Sequence, residues 1–411
     1  MQPFTTNKQN TSSEAQNYTL YLIILTALFF IWGFITCLND ILIPHLKSAF
    51  SLNYTKAMLI QFSFFTAYFI VSLPAGILLE KIGYQKGIVL GLTTAAIGSA
   101  LFIPAANLIS YEFFLVALFI LASGITVLQV AANPYVVVLG KPETSSARLN
   151  LTQAFNSLGT TVAPFIGSYL ILSVTTNSNS STESVKLPYL GIALILLFLA
   201  IFFSVVKLPK INHTTDEEAE IISETKHKSI FEYKHLIFGV VGIFLYVGAE
   251  VSIGSFLVNY FKELVNMEEQ NAAKLIAFYW GGAMVGRFIG SFLQNYIKPN
   301  LLLAINSLFA ASLVILSMIG SGYFSVITIL AVGFFNSIMF PTIFSLSLNK
   351  LGRFTEKGSG LLCMAIVGGA ILPVIQGMFA DKIGIHHAFI IPVLCYLYIS
   401  FFGFKGYKPS I

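Results

Sequence analysis

The sequence predicts an all-α membrane protein of twelve transmembrane helices in two six-helix bundles. Three observations predict it. Of 411 residues, 56% are hydrophobic and 10% charged, with a mean hydropathy of +0.81. Soluble domains carry about 25% charged residues to coat their surface, and a bilayer requires no such coat. The apolar residues fall into twelve runs, each near the roughly 20 residues that a helix needs to cross the hydrocarbon core. The polar stretch "KLPKINHTTDEEAEIISETKHKSIFEYK", Lys207 to Lys234, separates six of these runs from the other six.

Taken in order, residues 1–18 are polar, with no basic segment leading into a short apolar core. They read as a cytoplasmic tail rather than a cleaved signal peptide. The N-terminal bundle, 19–206, holds runs at 19–44, 57–79, 88–108, 112–139, 150–173 and 188–206. The 207–234 stretch mixes both signs of charge and suits a cytoplasmic linker. The C-terminal bundle, 235–404, holds runs at 235–261, 272–294, 300–320, 323–349, 358–380 and 385–404, and 405–411 form a cytoplasmic tail.

Orientation follows from Lys and Arg, which favour cytoplasmic loops. With the N-terminus inside, 16 of the 23 fall on the inner side, 6 on the outer side, and Arg287 within a run. Both termini and the linker are therefore expected in the cytoplasm, with the chain crossing the inner (plasma) membrane many times. These loops account for the net charge of +5, so it implies no nucleic-acid partner. Cys37, Cys363 and Cys395 all lie in apolar runs with no CxxC or Cys/His cluster. They are expected as packed free thiols, with no metal.

The two halves echo each other. Pro134 and Pro341 are 207 residues apart, Pro164 and Pro373 209, and Asp40 and Glu250 210. The first run of each half thus carries one intramembrane acid. A charge at the bilayer centre costs about 2.5–3.5 kcal/mol on insertion scales, so such acids mark functional sites by default. Parallel repeats about an axis along the membrane normal are a transporter plan, with the substrate between the halves. Asp40 can also be read as a helix-end acid at the outer headgroups.

The segment "GILLEKIGYQK", Gly76 to Lys86, fits G-x-x-x-[DE]-[KR]-x-G-x-x-[KR]. It resembles the signature of the major facilitator superfamily, in which Gly76 permits close helix approach. There Glu80, Lys81, Gly83 and Lys86 complete a charged latch at the cytoplasmic face. The string "GMFADKIG", Gly377 to Gly384, looks similar but falls on the outer side. Further strings, "WGFITCLNDILIPHLK", "LQVAANPYVVVLG", "RLNLTQAFNSLGT" and "FPTIFSLSL", resemble the fucose:proton symporter family of that superfamily along nearly the whole chain. The resemblance implies a sugar symporter with Asp40 as an acid in the first helix. It also implies a departure from the fucose branch. Gln129 stands where that branch has a glutamate, and Glu250 where it has a glutamine, the pattern of the glucose/galactose branch.

The residues support the same chemistry on their own. A neutral hexose offers hydroxyls and two rather apolar faces, so its site should supply amides, carboxylates and aromatic rings. Asn39, Gln129, Asn133, Gln153, Asn156, Glu250 and Asn259 are the candidate polar contacts. Gln129 and Asn133 share a helix face, as do Gln153 and Asn156. Pro134 loosens its helix and frees carbonyls that can line a cavity. Against this, lone amides in bundles commonly bond between helices, worth roughly 0.6 kcal/mol. Tyr279, Trp280 and Trp32 are candidates for stacking on sugar, against a packing or interfacial role. Arg287 is read either as pairing with an acid or as snorkelling to the interface. His386 and His387 are expected to be solvated in an outer loop.

Asp40 and Glu250 are the expected coupling acids. Desolvation favours the protonated form of a carboxylate, so an acid exposed alternately to each side can couple sugar movement to a proton gradient. Kept ionised, it can hold Na⁺ instead. The expected function is import of a neutral, glucose/galactose-like hexose by cation symport with alternating access. The expected protein is a monomer in membrane lipid, without resident cofactor. A fucose or amino-sugar symporter is the alternative, and a proton-coupled drug exporter a further one. A membrane enzyme is excluded by the lack of a nucleophile, metal set or catalytic His in convincing spacing.

Overall fold

The computed structural model describes residues 18–49, 54–167, 186–209 and 229–409. Within these, the side chains of 38–49, 54–61, 164–167, 269–270 and 273 lie outside the described residues. The expected N-terminal tail and most of the expected linker therefore lie outside the description.

Among the described residues, twelve long helices follow one another. α1 is Thr19–Ala49 and α2 is Tyr54–Ile82. α3 runs Tyr84–Ala100 and, past a step at Leu101, Phe102–Asn107. α4 is Tyr111–Val138, α5 Ser145–Gly167 and α6 Lys186–Val205. α7 is Lys234–Val265, α8 Glu269–Leu293 and α9 Pro299–Ile319. α10 is broken into Gly322–Asn336 and Met339–Ser347. α11 runs Thr355–Met364, a tighter turn Ala365–Val367, then Gly368–Ile383. α12 comprises Ile385–Ala388 and Ile390–Phe401 and ends in a π turn, Phe402–Gly406.

Among the described residues, eleven helices are long and apolar enough to cross a membrane. α5 carries Ser146, Asn150, Gln153 and Ser157 at spacings of four, three and four. That spacing gathers them on one face. A polar stripe on a helix at membrane depth needs a polar neighbour, and α5 finds it in the other half.

The two halves use the same pairings. In the first, α1 packs on α5, α2 on α4, and α3 on α4 and α6. In the second, α7 packs on α11, α8 on α10, and α9 on α10 and α12. The close approaches repeat as well. A Cβ on Gly159 of α5 would lie 2.2 Å from the carbonyl oxygen of Phe30, and one on Gly368 of α11 2.0 Å from that of Phe244. In each half a glycine thus lets the fifth helix touch the backbone of the first.

The halves meet through α2 and α4 against α11, and through α5 against α8 and α10. Part of this interface is a seam of uncharged groups. Ser146 Oγ and Ser345 Oγ are 2.6 Å apart. Asn150 Nδ2 donates to Gln294 Oε1 at 2.6 Å and to Thr342 Oγ1 at 3.3 Å. Gln294 Nε2 donates to Thr342 Oγ1 at 2.7 Å, and Ser291 Oγ to the Ala147 carbonyl at 3.0 Å. These contacts lie toward the end of the bundle where α2 turns into α3, α6 leaves at Val206 and α7 begins, here termed the linker face.

The prolines of the internal echo shape this region. Proline lacks an N–H and leaves the carbonyl four residues earlier without its helical donor. Pro134 frees Val130 O, which Ser359 Oγ of α11 reaches across the halves at 2.8 Å. Pro341 frees Ser337 O at the break in α10, and Arg287 Nε donates to it at 3.1 Å. The freed carbonyls expected around Pro134 are therefore bonded to protein.

Candidate functional site

The first half contributes an amide wall. Gln129 and Asn133 project from α4 and Gln153 from α5, all buried. Gln153 Nε2 donates to Asn133 Oδ1 at 3.3 Å. Among the described residues, Asn133 Nδ2 and Gln129 Oε1 have no hydrogen-bond partner. Buried polar atoms are nearly always bonded, so the cluster offers a hydroxylated ligand one donor and one acceptor. Asn156, half-buried, donates from Nδ2 to the Phe29 carbonyl of α1 at 2.9 Å. α1 continues as helix through Asn39 and Asp40, whose side chains lie outside the described residues. At a rise of about 1.5 Å per residue, Asp40 sits roughly 16 Å farther along α1 than Phe29, away from the linker face.

The second half contributes an acid held by an arginine. Glu250 of α7 is 13% exposed and accepts from Tyr246 Oη at 2.7 Å, one turn below it. Arg287 of α8 places Nη2 3.8 Å from Glu250 Oε1. Its Nε bonds Ser337 O, and its Nη1 donates to Ser157 Oγ on α5 of the other half. Ser157 Oγ in turn donates to the Gln153 carbonyl at 3.0 Å. A continuous chain of polar contacts therefore runs from Asn133 through Gln153, Ser157 and Arg287 to Glu250, crossing between the halves. The alternatives for Arg287 resolve to pairing. A guanidinium with two protein acceptors and a carboxylate 3.8 Å away has no need to snorkel.

The aromatic candidates sit in different surroundings. Tyr279 is fully buried; its hydroxyl accepts from Asn336 Nδ2 at 2.7 Å and approaches the Glu250 carbonyl at 3.4 Å. It braces α7 against α8 and α10 and offers no ring face to a sugar. Trp32 is 7% exposed and packs 5.2 Å from the Phe29 ring, in an apolar niche with Leu92, Ile125 and Leu196. It faces the interior of its own half. Trp280 is exposed, with its ring edge against Gly254. Asn259 is exposed and lies two and a half turns beyond Glu250, hence on the other side of α7. It joins neither wall. His386 is half-buried rather than solvated, with its ring centroid 4.7 Å from that of Tyr260.

The signature segment takes part in closing the linker face. Gly76 lies so close to α11 that a Cβ there would meet the Glu356 carbonyl oxygen at 2.7 Å. Glu80 pairs with Lys357 of α11 at 2.9 Å, while Lys81 and Lys86 are exposed. Gly83 turns the chain from α2 into α3 at φ +79°, a conformation that costs a residue with a Cβ. Gly384, ending the similar outer string, adopts φ +83° between α11 and α12.

A family model described as Major Facilitator Superfamily matches residues 21–365. The chain belongs to the Major Facilitator Superfamily. Within it, this facilitator is 56% identical to a glucose/galactose transporter of Brucella abortus, over 98% of each chain. It is 36% identical to the L-fucose-proton symporter of Escherichia coli, over 95% of this chain and 94% of the relative. The crystal structure of the transporter FucP in the outward conformation superposes with a TM-score of 0.86 at 36% identity, covering 95% of this chain and 99% of that one. The expected sugar-symporter family and twelve-helix fold are borne out, and the superfamily is one of transporters, not enzymes.

Sequence reasoning missed Tyr246, Ser157, Asn336 and the Asn150–Gln294–Thr342 cluster. Two of these had a signal. Tyr246 stands four residues before Glu250, and Ser157 extends the polar stripe of α5.

Proposed function

We propose that this facilitator imports a neutral hexose of the glucose/galactose class by cation symport, through alternating access between its halves. The observation that supports this most is the chain of polar contacts from Asn133 to Glu250. It joins an amide wall with an unused donor and acceptor to a carboxylate in the opposite half. That donor set suits sugar hydroxyls, and a large amphiphile would leave it unpaired. The names of the relatives agree with a sugar as substrate.

In this reading Gln129, Asn133, Gln153 and Asn156 bind the sugar, with Asn39 as a further contact. Glu250 orders the sugar from the other side. Asp40 is the principal coupling acid, taking up and releasing H⁺ or holding Na⁺. The protein works as a monomer in the inner membrane with the linker face toward the cytoplasm, so the linker-face seam closes the inner gate.

Uptake into proteoliposomes tests this. Labelled glucose, galactose and fucose are offered under imposed proton or sodium gradients. Glucose and galactose should accumulate under one of the two gradients, with fucose behind them. Failure of all three sugars to accumulate under either gradient overturns the reading.

A further inference from the structure

Arg287 is the charged side chain through which Glu250 reaches the other half. Its three nitrogens engage three helices: Nη2 faces Glu250 of α7, Nε the Ser337 carbonyl of α10, and Nη1 Ser157 of α5. The α10 partner exists because Pro341 removes the helical donor to that carbonyl. A planar guanidinium serves three such directions at once, whereas an ammonium does not.

The surroundings fix what this arrangement does. Among the described residues, the titratable groups near Glu250 are Tyr246 on its own helix, Arg287 and Tyr279 on α8, and Tyr396 on α12. Arg287 is the one among them that brings positive charge. The guanidinium is 16% exposed and keeps its charge throughout, so it needs a nearby anion to stay in place. Glu250 supplies that anion and thereby presents Nη1 to Ser157. On the linker side of this point, α5 continues into the seam through Asn150, Ala147 and Ser146.

We propose that Arg287 is a positioning residue that ties the charge of Glu250 to closure of the linker face. Glu250 anchors the guanidinium, the guanidinium holds α5, and α5 stays against α8 and α10. Removing the anion releases the α5 arm, and the linker face opens more often. This extends the symport reading by placing a positioning residue between the sugar-ordering acid and the gate, and its test needs no substrate.

The test uses full-length protein in inside-out vesicles, with Cys37, Cys363 and Cys395 replaced and Ala147→Cys as reporter. Ala147 is 5% exposed within the seam. A membrane-impermeant maleimide applied at the linker face, without sugar, reads how often the seam opens. Ser157→Ala should raise the labelling rate about tenfold, and Glu250→Gln by a similar factor. The double variant should label no faster than the faster single variant, since both act through one arm. In an Arg287→Gln background, Ser157→Ala should add nothing. Arg287→Lys should label like Arg287→Gln, because charge without the fork does not hold both partners. An unchanged rate in Ser157→Ala, or multiplying effects of Ser157→Ala and Glu250→Gln, overturns the proposal. These two measurements decide it even if Arg287→Gln fails to fold. Failed sugar uptake with the expected labelling pattern would refute the symport reading and leave this one standing.

Discussion

Gly76→Ala should unlatch the linker face while leaving each half intact. The added Cβ would sit 2.7 Å from the Glu356 carbonyl oxygen and close to Gly360 Cα at 3.3 Å, where ordinary contact begins at 3.4 Å. The atom it meets is backbone, which cannot rotate away, so α2 and α11 must part by about 0.7 Å at this level. That shift strains the neighbouring Glu80–Lys357 pair, held at 2.9 Å. Overpacking of this kind costs about 1–3 kcal/mol. Here the cost falls on the state in which the linker face is closed, because α2 and α11 belong to different halves. The equilibrium between closed and open should therefore shift roughly 5- to 150-fold toward open. Maleimide labelling of Ala147→Cys at the linker face measures it, and Gly83→Ala, which strains a turn within one half, serves as the comparison. Equal labelling of Gly76→Ala and the parent would refute the reasoning, since the clash would then have been absorbed without moving the halves.

Other expectations follow from the site and topology. Asn156→Ala and Gln129→Ala should each weaken sugar binding by about 1–3 kcal/mol, because a buried hydroxyl is left unpaired; calorimetry on the purified variants measures it, and unchanged affinity removes that residue from the site. Asp40→Asn should abolish gradient-driven accumulation while sugar binding persists, and Glu250→Gln should lower affinity instead. If Asp40→Asn still concentrates sugar in proteoliposomes, the coupling acid lies elsewhere. A cysteine placed in the 207–234 linker should resist impermeant reagents added to intact cells, and ready labelling would reverse the proposed orientation.

How far the sequence could be read depended on the kind of information each residue carried. Apolar run length announced twelve helices directly, and Pro134 with Pro341 announced the repeat. What the two prolines do stayed hidden, because Ser359 is 229 residues from Val130 in sequence and Arg287 50 from Ser337. Gln129, Asn133, Gln153 and Asn156 could be read because amides are rare guests in apolar helices and paired there by spacing. Tyr279 and Trp32 misled because residue type says nothing about helix rotation, and with 38 Phe and 18 Tyr an aromatic is an ordinary packing unit here. Arg287 stayed open between two roles until its partners on three helices were visible. Asp40 fits the repeat by position.

The seam of Ser146, Asn150, Gln294, Thr342 and Ser345 contains no ionised group. Neutral hydrogen bonds exchange with water at a net difference of only about 0.5–1.5 kcal/mol each. Parting the halves at this seam therefore climbs a shallow slope, with water stepping into each vacated bond. Ionic strength, which weakens exposed ion pairs over a distance of about 8–10 Å, should leave this part of the barrier untouched and act on the Glu80–Lys357 pair at the rim. A carrier that must open and reclose once per sugar gains throughput from such a joint.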